Sequence, residues 1–316
     1  VRRFNDQFLK QYGLNPLRFR KRVDVRDAEA MTFALGYRPP FCWSGMLAFF
    51  ARRGVSGVEH VGGDTYARTI VLHHADRDVC GWISVRNAPQ RYALDVTLSM
   101  SLTPVVGQVL ARVRRLFDLS SHPELIDTHL GELAAGAPGM RVPGALDGFE
   151  IAVHAIAAQQ IPAAEARQVL SRVAGRLGTK ISAPFGLSAA FPSAAVFARL
   201  PLVALEQQGL ARPHAEAIVT LAGEVSSGRM TLEPAAPLEE TLAALRRIHG
   251  VGEWAVQYIA MRSLGWPNAF PDDDPLIRTQ LDCPTTSALD LRAEPWQPWR
   301  AYATVHLWNQ LEEQHS

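Results

Sequence analysis

The pattern of apolar and polar positions changes once along this chain, from a period of two to a period near 3.6. Three runs alternate, at 66–73, 80–86 and 93–100, each bounded by turn-forming residues. Alternation of this kind predicts half-buried antiparallel strands. Helical spacing flanks them, over 43–53 with Phe49 and Phe50 on that helix, and over 103–117. From His122 onward the pattern is helical. Asp147 and Glu150 open a long apolar-periodic helix in a capping-box arrangement, and Pro162 ends it. Helices are further expected at 163–177, 193–200, 201–208 and 213–226, punctuated by Pro184, Pro192, Pro234 and Pro237. The change of period places a domain break near residue 120. It predicts an α+β chain, with an antiparallel α/β unit over 35–120 and a helical region over 121–316.

Composition narrows the class. The 316 residues predict about two domains, and 47% apolar content with 20% charged residues excludes a disordered chain. No apolar run is long enough to span a membrane. Cys42, Cys80 and Cys283 are far apart and odd in number, which argues against a disulfide framework and fits a reducing, cytosolic setting. The net charge of +1 hides an asymmetry: residues 1–22 carry seven Lys/Arg against one Asp, or +6, so the remainder is near −5. A net-acidic body does not attract nucleic acid by bulk electrostatics, so any cationic face must be local. His73 and His74 read as a surface pair, since no third metal ligand has suitable spacing.

The chemistry concentrates in residues 242–281, LAALRRIHGVGEWAVQYIAMRSLGWPNAFPDDDPLIRTQL. A helix over 242–248, the turn Gly250-Val251-Gly252 and a second helix over 253–264 form a hairpin. Glycine admits backbone angles that a Cβ resists, and amides at a helix start offer a sequence-blind phosphate site. An ordinary αα-hairpin turn uses the same letters. Trp254 and Tyr258 lie at i and i+4, side by side on one helix face. About 20 residues past the glycines stand Asp272, Asp273 and Asp274, followed by Pro275. An Asp before a Pro at the first helical position also reads as an N-cap, and capping would hold its carboxylate in place.

This stretch resembles the helix-hairpin-helix and Gly/Pro-Asp loop of the base-excision DNA glycosylase superfamily. In particular it resembles the bacterial 3-methyladenine DNA glycosylase II (AlkA-type) branch. PPFCWSGMLAFFARR, RVRRLFDLSSHP, PGMRVPGALDGFE and PWRAYATVHLWN resemble segments of that branch in the same order, so the likeness covers roughly 35–312. It implies a TATA-binding-protein-like α/β domain followed by an all-α glycosylase fold of two subdomains, with the cleft between them. The hairpin would span 242–264 and the catalytic loop 270–275. Residues 1–22 resemble the last part of an AraC-type helix-turn-helix, as in a fused adaptive-response regulator and glycosylase. Its upstream half is missing, which leaves a basic tail as the plainer reading.

The resemblance also assigns roles. Ring alkylation makes a base cationic, and its departure builds positive charge on the deoxyribose, which a fixed carboxylate stabilises. The base must first flip out of the duplex, and aromatic faces then bind it. Asp274 matches the catalytic aspartate by its place before Leu276-Ile277-Arg278, with Asp272 and Asp273 as rivals in a loop carrying one acid more than is usual. Trp254, Tyr258 and Trp308 match pocket aromatics, with Phe49 a candidate from the first domain. Gly250, Val251 and Gly252 match the phosphate turn, and Gln159 and Gln160 the DNA-contacting loop. Gln160 stands at the wedge position where leucine is usual, with Ile161 next. Carbonyls of Arg246, Ile248 and Val251 match a structural monovalent cation site; no other cofactor is expected.

The lysine nucleophile of strand-cleaving relatives is replaced by Trp254, and no lysine follows Lys180. That implies hydrolysis without lyase activity. A lone Cys283 excludes the four-cysteine iron–sulfur cluster. The expected partner is double-stranded DNA with alkylated bases, not a membrane, and the protein is expected as a monomer in the bacterial cytoplasm, at the nucleoid. The alternative is a non-catalytic DNA-binding module using the hairpin and the basic tail. An aromatic pair beside a loop acid is what such a module would not need.

Overall fold

The alternating runs assemble into one antiparallel sheet. The computed structural model describes residues 30–159 and 161–314. Strands β1 (Ala30–Gly36), β2 (Glu59–Gly62), β3 (Thr65–His74), β4 (Arg77–Ala88) and β5 (Ala93–Ser99) lie in the order β1-β5-β4-β3-β2. Period two puts Ile83 and Val85 of β4 and Leu94, Val96 and Leu98 of β5 inside. Helix α1 (Trp43–Arg53) and helix α2 (Val106–Leu116) pack their apolar stripes on that face. Phe50 of α1, Tyr66 of β3 and Phe117 meet ring to ring, with centroids 4.6–5.6 Å apart. His73 pairs with Asp78 at 3.0 Å on the exposed end of the β3–β4 ribbon.

The helical region follows, with α3 (Pro123–Leu130), α4 (Gly148–Ala158), α5 (Ala163–Leu177), a two-residue ribbon of β6 (Thr179–Lys180) and β7 (Ala189–Ala190), α6 (Ala194–Phe197) and α7 (Leu202–Glu206). Then come α8 (Arg212–Ser226), α9 (Leu238–Arg246), α10 (Glu253–Arg262), α11 (Pro275–Gln280), α12 (Thr286–Ala293) and α13 (Arg300–Gln314). Helix α4 is the axis, because every residue from 148 to 157 is buried. An apolar stripe that wraps all round marks a helix enclosed by others, here α5, α8 and α10. It stops four residues before Pro162, whose ring is incompatible with a preceding helical turn.

Only half of the expected capping box forms. Asp147 accepts from the Phe149 and Glu150 amides at 2.8 and 3.4 Å. The Glu150 carboxylate turns away to Arg68 of β3, 2.7 Å distant. That pair ties the sheet to α4, and Arg52 of α1 donates to Asn309 of α13 at 2.9 Å. One continuous apolar core runs from sheet to helices. Among the described residues, no helix is long and apolar enough to cross a membrane.

Candidate active site

The hairpin between α9 and α10 needs its two glycines for different reasons. Gly250 sits at φ +90°, and a Cβ there would meet the Pro213 carbonyl oxygen at 2.9 Å. Gly252 has an ordinary φ of −85°. Its missing Cβ makes room for Gln159, whose Oε1 would lie 2.8 Å from that atom. Gln159 accepts from the Gly252 N–H and donates to the Gly250 carbonyl at 2.9 Å. Val251 N–H donates to Ile248 O at 3.1 Å. Two of the three amides expected to face a phosphate are therefore engaged within the protein. So is Gln159, expected at the DNA: a carboxamide matches one donor and one acceptor of the turn and bonds both. Gln160 lies outside the described residues. Arg246 closes the hairpin's outer side through Glu253, at 2.7 Å.

Asp274 is both a cap and a buried acid. It is the N-cap of α11, and Oδ1 accepts from the Leu276 and Ile277 amides, each at 3.0 Å. Oδ2 accepts from the indole N–H of Trp254 at 2.9 Å and that of Trp308 at 3.2 Å. The residue is 4% exposed, so four N–H groups rather than water solvate its carboxylate. Asp273 beside it is half-buried, and burial pushes its carboxyl up while backbone N–H groups, including that of Trp254, oppose the shift.

These side chains form one wall of a cleft of about 640 Å³. Trp254 stacks on Tyr258 with centroids 4.9 Å apart and planes at 21°, and Trp308 tilts against Tyr258 at 5.9 Å. Arg262 holds Tyr258 from behind: Nη1 donates to the phenol at 2.7 Å, and Nε donates to the Pro143 carbonyl at 2.7 Å. Ile161 and Pro162 also line it. Phe49 is not in the lining. Helix α1 turns it inward, fully buried, between the Arg53 and Arg262 guanidinium groups at 4.1 and 5.0 Å. The neighbour on the same helix, Arg53, does line the cleft and lies 5.4 Å over the Trp308 ring. His154 of α4 lines it too. Both were missed in the sequence, although a lone histidine in the apolar run IAVHAIAA was a visible signal.

Residues 32–147 match the family described as the AlkA N-terminal domain. DNA-3-methyladenine glycosylase 2 of Escherichia coli (strain K12) is 34% identical over 276 residues, covering 87% of this chain and 96% of that protein. The chain belongs to the DNA-3-methyladenine glycosylase 2 family. A Mycobacterium tuberculosis (strain ATCC 25618 / H37Rv) protein named "Probable bifunctional transcriptional activator/DNA repair enzyme AlkA" is 31% identical over 331 aligned residues. That match covers 99% of this chain and 64% of the relative, so the chain spans under two thirds of its length. The 1–22 segment, read above as a helix-turn-helix remnant, lies outside the described residues. In fold, this family member is similar to the solved 3-methyladenine DNA-glycosylase from Archaeoglobus fulgidus, with a TM-score of 0.76, 21% identity, and coverage of 89% of this chain and 98% of that one.

Proposed function

We propose that this chain hydrolyses the N-glycosidic bond of alkylated bases, 3-methyladenine and related ones, in double-stranded DNA after flipping the base into the cleft. The observation that carries this reading is Asp274: a buried carboxylate held by four N–H groups in the wall of an aromatic cleft beside the hairpin. A cationic base is attracted to the electron-rich face of Trp254 that Tyr258 leaves open, by roughly 0.5–2 kcal/mol. As the C1′–N bond lengthens, positive charge grows on the sugar. A carboxylate already fixed in place stabilises that charge without reorganising, whereas water would have to turn. Each Asp274 oxygen already accepts two hydrogen bonds. Its part is therefore through-space stabilisation of the sugar cation, not a bond to C1′.

The hairpin holds the backbone with the Gly250 amide and the first-turn amides of α10 other than that of Trp254, which Asp273 holds. The carbonyls of Arg246, Ile248 and Val251 fit a structural monovalent cation, Ile248 through the lone pair that the Val251 N–H leaves. Such an ion would add charge between protein and phosphate. With Trp254 where strand-cleaving relatives carry lysine, release leaves an intact abasic strand. The protein acts as a monomer at the nucleoid.

The test is incubation with methylated duplex DNA and chromatography of the released bases. Free 3-methyladenine over an uncut strand is expected. Tight binding without release would favour the rival DNA-binding module, and a borohydride-trapped covalent adduct would overturn the monofunctional mechanism.

A further inference from the structure

Two buried polar atoms behind the cleft have no hydrogen-bond partner, and they face each other. His154 Nε2 and Glu150 Oε1, one turn apart on α4, are 3.8 Å apart and otherwise unpaired. Orphaned buried polar atoms are costly and rare, so a pair of them calls for a cause. Glu150 Oε2 takes Arg68 Nη2 at 2.7 Å, and the same guanidinium reaches Glu59 of β2 at 3.4 Å. Glu59 and Asp147 both disfavour a charge on Glu150, and a proton there relieves that repulsion. Glu59 is filled with donors, from the Tyr66 hydroxyl at 2.5 Å and the Val55 amide at 3.2 Å. Oε1 of Glu150 has none, so the proton belongs there. Burial pushes Glu150 up to about 7 against the pull of Arg68.

The imidazole is held neutral. Burial pushes it down to about 4, against the pull of Glu59 and with Arg262 of α10 and Arg68 of β3 opposing a charge. Arg53 of α1 also borders the ring's pocket, and Phe191 packs on it at 5.8 Å. His154 borders both this buried cluster and the cleft, and with Nε2 on the side of the Glu150 proton the ring hydrogen stands on Nδ1.

We propose that His154 is a catalytic proton conduit to the departing base, fed by Glu150, an inference that rests on the glycosylase reading above. When the C1′–N bond breaks, its electron pair goes to the base. A ring nitrogen of the base takes the Nδ1 proton while Nε2 takes the Glu150 proton, leaving a carboxylate against Arg68. Water then adds hydroxide to C1′, and its remaining proton reaches Nδ1 through solvent while Nε2 gives its proton back to Glu150. A cationic alkylated purine leaves as a neutral molecule and gains little from this. A base that is neutral in DNA would leave as an anion, and the relay acts on that class.

The experiment measures single-turnover release from duplexes carrying one 7-methylguanine, a cation, or one deoxyinosine, which is neutral, between pH 6 and 8.5. Hypoxanthine release by the unaltered protein should fall toward tenfold per pH unit above about 7, where Glu150 ionises, while 7-methylguanine release does not follow. His154→Phe keeps a ring against Phe191, and its loss on hypoxanthine should exceed its loss on 7-methylguanine tenfold or more. Parallel pH profiles, equal losses, or no hypoxanthine release by the unaltered protein would overturn the relay. If the unaltered protein fails to release 7-methylguanine, the glycosylase reading itself falls.

Discussion

Asparagine at position 274 keeps the size of the side chain, and the hydrogen bonds say what it loses. Its amide oxygen can still accept from the Leu276 and Ile277 N–H groups, so the α11 cap survives. Its NH₂ then faces the two indole N–H groups that now lie 2.9 and 3.2 Å from Oδ2, donor against donor. A buried donor left unsatisfied costs about 1–3 kcal/mol. Trp254 is half-buried and can turn to water, but Trp308 is 3% exposed and cannot. The expected destabilisation is about 2–4 kcal/mol, seen as several degrees in Tm. The chemical loss is larger in effect: removing one preorganised electrostatic group costs ~10²–10³ in rate, or roughly 3–4 kcal/mol of barrier. The assay is single-turnover release of 3-methyladenine at saturating enzyme, well below the variant's Tm, with duplex binding measured alongside. Binding should persist. A folded Asp274→Asn protein that releases base within tenfold of the unaltered rate would refute the mechanism, since a mere cap predicts that result.

Three other expectations are narrower. Trp308→Phe keeps a ring against Tyr258 but removes one donor to Oδ2; single-turnover release should drop ~10-fold or more, the value of a hydrogen bond to a charged group, with duplex affinity nearly kept. Gly250→Ala must hold a left-handed angle, costing ~1–2 kcal/mol, and push Pro213 away; both Tm and duplex affinity by fluorescence anisotropy should fall. His306 is 2% exposed, and burial pushes its imidazole down to about 4. Folding therefore excludes a proton that the unfolded chain binds below about 6.5, so this stability is complete above 6.5 and is lost as pH falls toward 4. His306→Leu should flatten that decline, measured as urea midpoints at pH 7 and pH 4.5.

The period-two runs were legible because β3, β4 and β5 are central strands; β4 alternates with one face on the core, while β3 is buried on both faces over 65–70. The edge strands were not. β1 buries little besides Phe33 and Leu35, and β2 has four residues with none fully buried, so neither shows a pattern above its surroundings. In the site, the dual reading of Asp274 was available from the Asp-Pro pair. The indole bonds to it were not, because Trp254 and Trp308 lie 20 and 34 positions away and composition says nothing of ring orientation. Phe49 and Arg53 stand at i and i+4 on one face of α1, and the longer side chain lies over the ring at 4.1 Å, so Arg53 reaches the cleft and Phe49 stays beneath it. Glu150 escaped its box for a similar reason: a buried guanidinium from β3 outcompetes a backbone amide.

The bond pattern of Gln159 bears on how portable the hairpin is. Its conformation depends on a side chain 91 and 93 positions upstream, gripping one carbonyl and one amide of the turn. Transplanted alone into another scaffold, α9, the turn and α10 would arrive without their clasp. Within the chain, positions 159 and 252 form a single unit of substitution. A methyl group at 252 calls for a shorter residue at 159, and a shorter residue at 159 leaves the Gly252 amide and the Gly250 carbonyl to find water.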